Sequence, residues 1–442
     1  MSPTDPPRVE RGPVALVKIA DDIFSAVARA LELCEGFQHL PAGARVLVKP
    51  NLVGLPTKME TPPYGVVTST LVLEGLIRAL KDAGAGQITV GDGGLVNQDA
   101  GLATDLTMDI LGYPALAQRY DLTLADLNQG PFRQVETGGL KLKIAEPALE
   151  QDFVISLPTL KTHNQTRVSL SLKNMKGCLH VRSKAACHDA EGRLSHHVAL
   201  QALALYPDLA LIDGLYSLAL GPAHTGRAQR SDLLIAARDA LDADLVGAAV
   251  LGADLPEVEH LAEVARALGR ELTAPPTVGG PLVEDVRLDL DWDWPWLDPY
   301  TPAAFKKYNV KGFILPKYDH TLCTGCSFIY NPLMIMGIAA CAAHDPGGVE
   351  VLTGKAMAPT GQAKATVLLG NCMIKSRRGD QRIQQEVLVK GCPPRLKDLE
   401  QGLQKAGMKA DLNTYWSFAS KMGQHYSEDH GFRPSDFQPL EQ

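Results

Sequence analysis

Between Val14 and Leu268, apolar runs of strand length alternate with segments of helical period, and no other feature restricts the fold of this chain as much. Val14 to Ile19 reads as a strand, Asp21 to Cys34 as an amphipathic helix and Arg45 to Val48 as a second strand ending in Lys49-Pro50-Asn51. Ser69 or Thr70 can cap a helix carrying Leu73, Leu76, Ile77 and Leu80, closed by Gly84. Gln87 to Val90 then runs as a strand into Gly91-Asp92-Gly93-Gly94. A hairpin is expected around Gly138-Gly139, strands at Phe153 to Leu157 and Leu209 to Ile212, and helices near Val198 to Leu205, Leu241 to Leu251 and Pro256 to Leu268. Such alternation predicts an α/β fold, a largely parallel sheet with helices on both faces.

The pattern breaks at about Thr273. Six prolines between Pro275 and Pro302, and the run Asp289-Leu-Asp-Trp-Asp-Trp-Pro-Trp296, interrupt any period. This stretch is expected to be a connector, or an ordered arm on the sheet, since Trp292, Trp294 and Trp296 are costly to leave in water. Beyond it, a helix is expected from Pro332 to Ala343, strands at Val349 to Leu352, Ala365 to Leu369 and Glu386 to Val389, and a helix from Arg395 to Ala406. The organisation predicted is an α/β domain over 1–272, a Pro/Trp-rich connector over 273–320, a smaller α/β cysteine module over 321–411 and a polar, aromatic tail over 412–442.

Composition limits the setting. A net charge of −7 over 442 residues disfavours general binding to nucleic acid or membrane surfaces. The start, Met1 to Pro7, lacks the basic residue and apolar run of a secretory signal, and no uninterrupted apolar stretch reads as transmembrane, so a cytoplasmic setting is expected. Eight cysteines are too sparse for a disulfide framework and are expected to be reduced. Four of them form a pattern: Cys323-Thr-Gly-Cys326, Gly370-Asn-Cys372 and Gly391-Cys392-Pro393-Pro394. One Cys-x-x-Cys turn with two further glycine-flanked thiols matches what a 4Fe-4S cluster needs, with structural zinc as the rival. Cys34, Cys178, Cys187 and Cys341 read as core.

A second concentration lies between Lys161 and Lys184, where Lys161, Arg167, Lys173, Lys176, Arg182 and Lys184 occur without one acidic residue. In an acidic protein this is a local anion site, placed after a strand where parallel α/β sheets bind ligands, and Lys49, Asn51 and Asp92 hold equivalent places. Few aromatics interleave with these charges, so nucleic acid is a poor partner. His163, His180, His188, His196 and His197 fall within the same region and leave open a proton-transfer role or a second metal.

Two resemblances follow from these motifs. Cys323-Thr-Gly-Cys326 and Gly391-Cys392-Pro393-Pro394-Arg395 resemble the cluster motifs of the nickel-iron hydrogenase small subunit and its relative in respiratory complex I, whose matching cysteines hold a 4Fe-4S cluster. Lys161-Thr-His163 and Lys173-Asn174-x-Lys176-Gly177, with Lys49-Pro50-Asn51, Asp213-Gly214, Gly221-Pro222 and Asp239-Ala-Leu-Asp242, resemble the family catalogued as domain of unknown function 362, over about residues 45 to 270. That resemblance implies a fold and an association with iron-sulfur modules more than a reaction.

The leading expectation is an anaerobic iron-sulfur oxidoreductase acting on an anionic small molecule and fed by an electron donor such as a ferredoxin. Cys323, Cys326, Cys372 and Cys392 would hold the cluster; Lys49, Asn51, Lys173, Asn174 and Lys176 would bind substrate; His163, His180, Lys161 and Asp213 would act in catalysis, with Asp242 as an alternative to Asp213. Two other readings stay open: a metal-dependent isomerase, lyase or racemase with a structural cluster, and an electron carrier or cluster-assembly partner. Oligomeric state, including a homodimer, is left open as well.

Overall fold

The computed structural model describes residues 11–20, 22–342 and 344–441. The expectations for the amino-terminal segment Met1 to Pro7, for Asp21 and for Ala343 lie outside them. The first seven strands are β1 (Val14–Lys18), β2 (Val46–Pro50), β3 (Ile88–Asp92), β4 (Leu122–Asp126), the hairpin pair β5 (Phe132–Thr137) and β6 (Leu140–Ala145), and β7 (Phe153–Leu157). There follow β8 (Thr159–His163), β9 (Arg167–Ser169), β10 (Leu209–Ala219), β11 (Arg227–Ala237) and β12 (Thr277–Val278). They build a central sheet in the order β12-β1-β11-β10-β7-β2-β3-β4, with β8 pairing to β10 and β9 to β8. The hairpin of β5 and β6 stands apart.

Side-chain alternation explains why helices cover both faces. Val46 and Val48 join one core with the helices Ile23–Leu33 and Thr70–Asp82, whereas Leu47 between them points to the opposite side. Ala15 and Val17 likewise face the first core, while Val14 and Leu16 meet the helices Ala240–Val250 and Glu259–Ala267.

The sheet is mixed rather than largely parallel. β2, β3, β4 and β7 pair in parallel, but β11 is antiparallel to both β1 and β10. The sequence hides this because β11 begins Arg-Ala-Gln-Arg-Ser-Asp, with half-buried polar positions, and carries a strand-like apolar run only at its end. β10 also extends seven residues past Ile212, to Ala219, and is buried throughout.

The Trp-rich stretch is an ordered arm. Its strands β13 (Trp296–Asp298) and β14 (Thr301–Pro302) pair with each other, and Trp296 packs edge-on against Tyr318. A second, all-parallel sheet follows in the order β15 (Phe313–Ile314), β16 (Val349–Leu352), β17 (Ala365–Leu369) and β18 (Glu386–Val389). It has its own core, shared with the helices Thr324–Ala342, Leu396–Lys405 and Leu412–Met422.

The helix Thr324–Ala342 starts eight residues before the expected one and runs through Pro332. It is long and apolar enough to cross a bilayer, against the expectation of no such stretch, yet half of it is buried and Leu333, Met336 and Ala340 belong to the second core. The carboxyl-terminal residues return to the first sheet: Tyr426, Phe432 and Phe437 surround Tyr64, and Asp436 accepts a 2.7 Å hydrogen bond from Tyr216.

Candidate functional site: a lysine-lined cavity

Parallel strands deliver their carboxyl ends side by side, and here the ends of β2 and β3 carry Lys49 and Asp92. Their buried ion pair is 2.7 Å long. Lys49 Nζ also donates to Asn174 Oδ1 at 2.7 Å, and Asn174 Nδ2 donates back to the Lys49 carbonyl at 2.9 Å, locking the loop that follows β9 onto β2. Asp92 accepts in addition from the backbone N–H groups of Leu52 and Gly93. The fit is close enough that a Cβ on Gly177 would run into Asp92 Oδ1 and Lys49 Nζ, so glycine is required there.

These groups open onto a cavity of about 220 Å³. Its floor is the strand-end region of the central sheet; its roof is the helix Thr324–Ala342, through Ser327, Phe328 and Asn331, with Trp294 and Trp296 of the arm. Five lysines line it, Lys49, Lys161, Lys173, Lys176 and Lys184, and Asp92 is the one carboxylate among the described lining residues. Lys161 Nζ donates to Asn51 Oδ1 and, at 2.8 Å, to the Val66 carbonyl. Lys184 Nζ donates to the Gly93 carbonyl at 2.6 Å and to Asn128 Oδ1 at 2.9 Å. Burial, with Lys49 nearby, lowers the Lys161 amine to about 7; burial lowers Lys184 to about 8. Lys173 is likewise pushed well below its ordinary value by burial and by Lys176 and Lys161.

Three histidines share the cavity: His163, His188 and His224. His188 Nδ1 lies 3.0 Å from the His320 carbonyl, which can only accept, so Nδ1 carries the proton and Nε2 accepts from Lys176 at 2.7 Å. His163 Nδ1 accepts from the Gln165 N–H at 3.0 Å, which leaves its proton on Nε2. His224 is buried with Nε2 unpartnered, and burial lowers its ring to about 4. All three are neutral rings near pH 7, since burial and the neighbouring lysines also hold His163 and His188 well below their usual range.

The cavity thus gathers Lys49, Asn51, Lys161, His163, Lys173, Asn174 and Lys176 from the expected site. Asp213 is elsewhere: it is buried within β10, accepts from the Ser69 and Leu215 N–H groups, and is raised to about 6 by burial. Asp242 pairs with Arg11 at 2.8 Å. His180 is the cap of a short helix, accepting from the Arg182 N–H, and stands edge-on to Phe132. His196 pairs with Glu263, and His197 lies 3.1 Å from the Cys187 carbonyl. The sequence marks His188 only as one of a crowd and does not mark His224, whose sole cue is its place three residues after Gly221, in the loop joining two strands.

The cysteines require a correction. Among the described residues, no group of three or more Cys, His, Asp or Glu side chains is arranged to hold a metal ion. Cys323 and Cys326 satisfy each other across the first turn of the helix Thr324–Ala342; the hydrogen bond lowers Cys323 to about 5 and raises Cys326. Cys372 and Cys392 lie near enough to add to that rise, but both are exposed, one in the first turn of Asn371–Arg377 and one after β18. The 4Fe-4S site, the hydrogenase-like module, the iron-sulfur oxidoreductase built on them and the second metal at the histidines are therefore withdrawn. Cys-x-x-Cys spacing is equally served by two thiols that partner each other at a helix start.

Comparison with known proteins bears on family and fold. Residues 46–249 match the model of the family described as Domain of unknown function (DUF362). The chain is 29% identical over 261 residues to a thylakoid-associated protein of Synechocystis sp., covering 58% of this chain and 78% of the relative. Among solved structures, the lactate racemase apoprotein from Thermoanaerobacterium thermosaccharolyticum overlaps with a TM-score of 0.38 at 13% identity, over 94% of this chain and 91% of that one. A Thermotoga maritima protein overlaps with a TM-score of 0.36 at 10% identity, over 95% and 97%. Overlaps this loose carry no weight for the chemistry. The stretch from 46 to 249, which supplies all five cavity lysines and all three of its histidines, is the part of the chain that matches the DUF362 family model.

Proposed function

We propose that this chain binds a small anionic molecule, a carboxylate or phosphate ester, in the lysine-lined cavity and catalyses a non-redox, proton-moving reaction on it, of the isomerase, lyase or racemase class. One observation carries the reading: five lysine amines share a cavity whose described lining has a single carboxylate, and that carboxylate is already paired with Lys49. Uncompensated buried cations are expensive, and an anionic ligand removes the expense. Lys161 and Lys176 would take the anion through charge-assisted hydrogen bonds.

The neutral histidines supply the chemistry. His163, protonated on Nε2, can give a proton, and His224, with a free ring nitrogen, can take one. Lys176 bonded to His188 forms a second path for a proton out of the cavity. Phe328, Trp294 and Trp296 place aromatic surface against these groups, which strengthens each of these interactions.

Exchange of substrate hydrogens with solvent tests this. A panel of small carboxylates and phosphate esters incubated in D2O should include at least one that binds by calorimetry and gains deuterium next to its carboxylate or phosphate-bearing carbon, and His163→Ala should slow that exchange about 100-fold or more. Failure of every anion to bind would overturn the proposal.

A further inference from the structure

We infer that Lys173 is a covalent, imine-forming lysine and that the ligand of the cavity is a 2-oxo acid or a similar small anion carrying an aldehyde or ketone. The inference deepens the anion-binding reading above and depends on it. It starts from the partners of the five amines. Lys49 is held by Asp92, Asn174 and the Pro50 carbonyl; Lys161 by Asn51 and the Val66 carbonyl; Lys184 by the Gly93 carbonyl and Asn128; Lys176 by His188. Lys173 has only Ser169 Oγ at 3.5 Å, the outer limit of a hydrogen bond. It is also partly open to the cavity, while Lys49 and Lys161 are fully buried.

An amine in that position is a nucleophile. Neighbouring cations and an apolar wall favour the neutral form, which is how lysines are made reactive toward carbonyls. Burial of the amine in the cavity supplies the apolar surroundings, and Lys176 and Lys161 supply the positive neighbours. Division of labour follows: Lys161 and Lys176 hold the carboxylate, and Lys173 attacks the carbonyl beside it.

The step balances without an external oxidant or reductant. The Lys173 nitrogen lone pair forms a C–N bond as the C=O π pair moves to oxygen, and one N–H proton passes to that oxygen. The C–O bond of the carbinolamine then breaks; His163 Nε2–H protonates the leaving hydroxyl, which departs as water, and the second N–H proton returns to His163. The product is the C=N imine, which withdraws electrons from the adjacent carbon and makes its proton easier to remove.

The test uses the whole chain with pyruvate, and with 2-oxoglutarate as a larger oxo acid, in the presence of sodium borohydride. Intact mass and peptide mapping should show one reduced adduct per chain, on Lys173, and Lys173→Arg should lose at least nine-tenths of it. Propionate, the carboxylate without the carbonyl, should compete with adduct formation yet leave no adduct. If the oxo acids bind by calorimetry but no adduct forms, or if it maps to Lys161 or Lys176 on the wild-type chain, the covalent role of Lys173 is overturned while anion binding stands. If neither oxo acids, propionate nor inorganic phosphate bind, the anion-binding reading falls and takes this inference with it.

Discussion

The lysine-lined cavity and the cysteine-bearing edge of the second sheet are both concentrations of one reactive side-chain type, yet they end in opposite conditions. The lysines come from β2, β8 and three short helical segments after β9, and the strand order brings them into one cavity of about 220 Å³. The cysteines come from two helix starts and one loop beside a smaller sheet, where one pair satisfies itself and the other two thiols face solvent. Buried amines that outnumber their carboxylates cannot balance their charge within the chain and gain from an anionic ligand; thiols can pair or simply remain exposed. Density of a residue type therefore marks a site only where its members lack a counterpart of opposite charge in the folded chain.

That contrast can be broken first at the ion pair that holds the cavity together. Asp92→Asn would leave the buried Lys49 without its carboxylate, and loss of one partner from a buried pair typically costs about 3–5 kcal/mol. Denaturant unfolding should show a loss of that size, with anion restoring part of it. A loss below about 1 kcal/mol would mean that the cavity tolerates free charge as readily as the cysteine edge tolerates free thiols.

Lys161→Met probes the other side. The amine donates to Asn51 and Val66 but is penalised by burial, so removing it should change stability by about 1 kcal/mol or less while weakening anion binding by roughly 10- to 100-fold, the worth of one charged hydrogen bond. Calorimetric titration of the best-binding anion, run on both proteins, decides it. Unchanged affinity would remove Lys161 from the ligand's partners.

The same variant gives a pH test whose sign is fixed. Lys161 is near 7 in the folded chain against 10.5 ordinarily, so between those values the unfolded chain holds a proton that the folded chain lacks. Stability of the wild type relative to Lys161→Met should therefore rise as pH increases from 7 toward 10, by at most about 1.4 kcal/mol per pH unit. Asp213 and Asp244, raised by burial to about 6 and about 8, act with the opposite sign but are common to both proteins and cancel. A flat or falling difference would show that Lys161 is not a penalised cation.

The sequence made several strands legible because they are mostly apolar and bounded by turn residues: Phe153–Leu157, Val349–Leu352 and Ala365–Leu369 have the expected bounds. It concealed β11, whose first half is polar, and the eight residues from Thr324 to Asn331, where Pro332 suggests a helix start rather than an interior position. The acid-free run after Lys161 pointed to the cavity, since charge without counter-charge is visible in one dimension. His224 was not legible, because its importance comes from burial against a roof contributed by residues about a hundred positions further on. Metal spacing misled for the converse reason: Cys-x-x-Cys fixes two thiols on a turn and leaves the positions of the other two undetermined.

The cysteine edge offers the smallest expected effect and the sharpest way to reverse the contrast. Cys372 and Cys392 are exposed, so replacing both by serine removes neither packing nor a buried hydrogen bond, and the change in unfolding free energy should stay within about 0.5 kcal/mol. Cys323 and Cys326 keep their mutual bond in that variant, so the helix Thr324–Ala342 and the cavity roof it supplies should be unaltered, with anion affinity unchanged. Iron or zinc at one equivalent per chain in the wild type, absent from the double variant together with several kcal/mol of stability, would show that the four thiols do bind as a set, as metal-dependent folds lose folding energy with their ligands. The two regions would then be alike, each a set of groups completed only by what it binds.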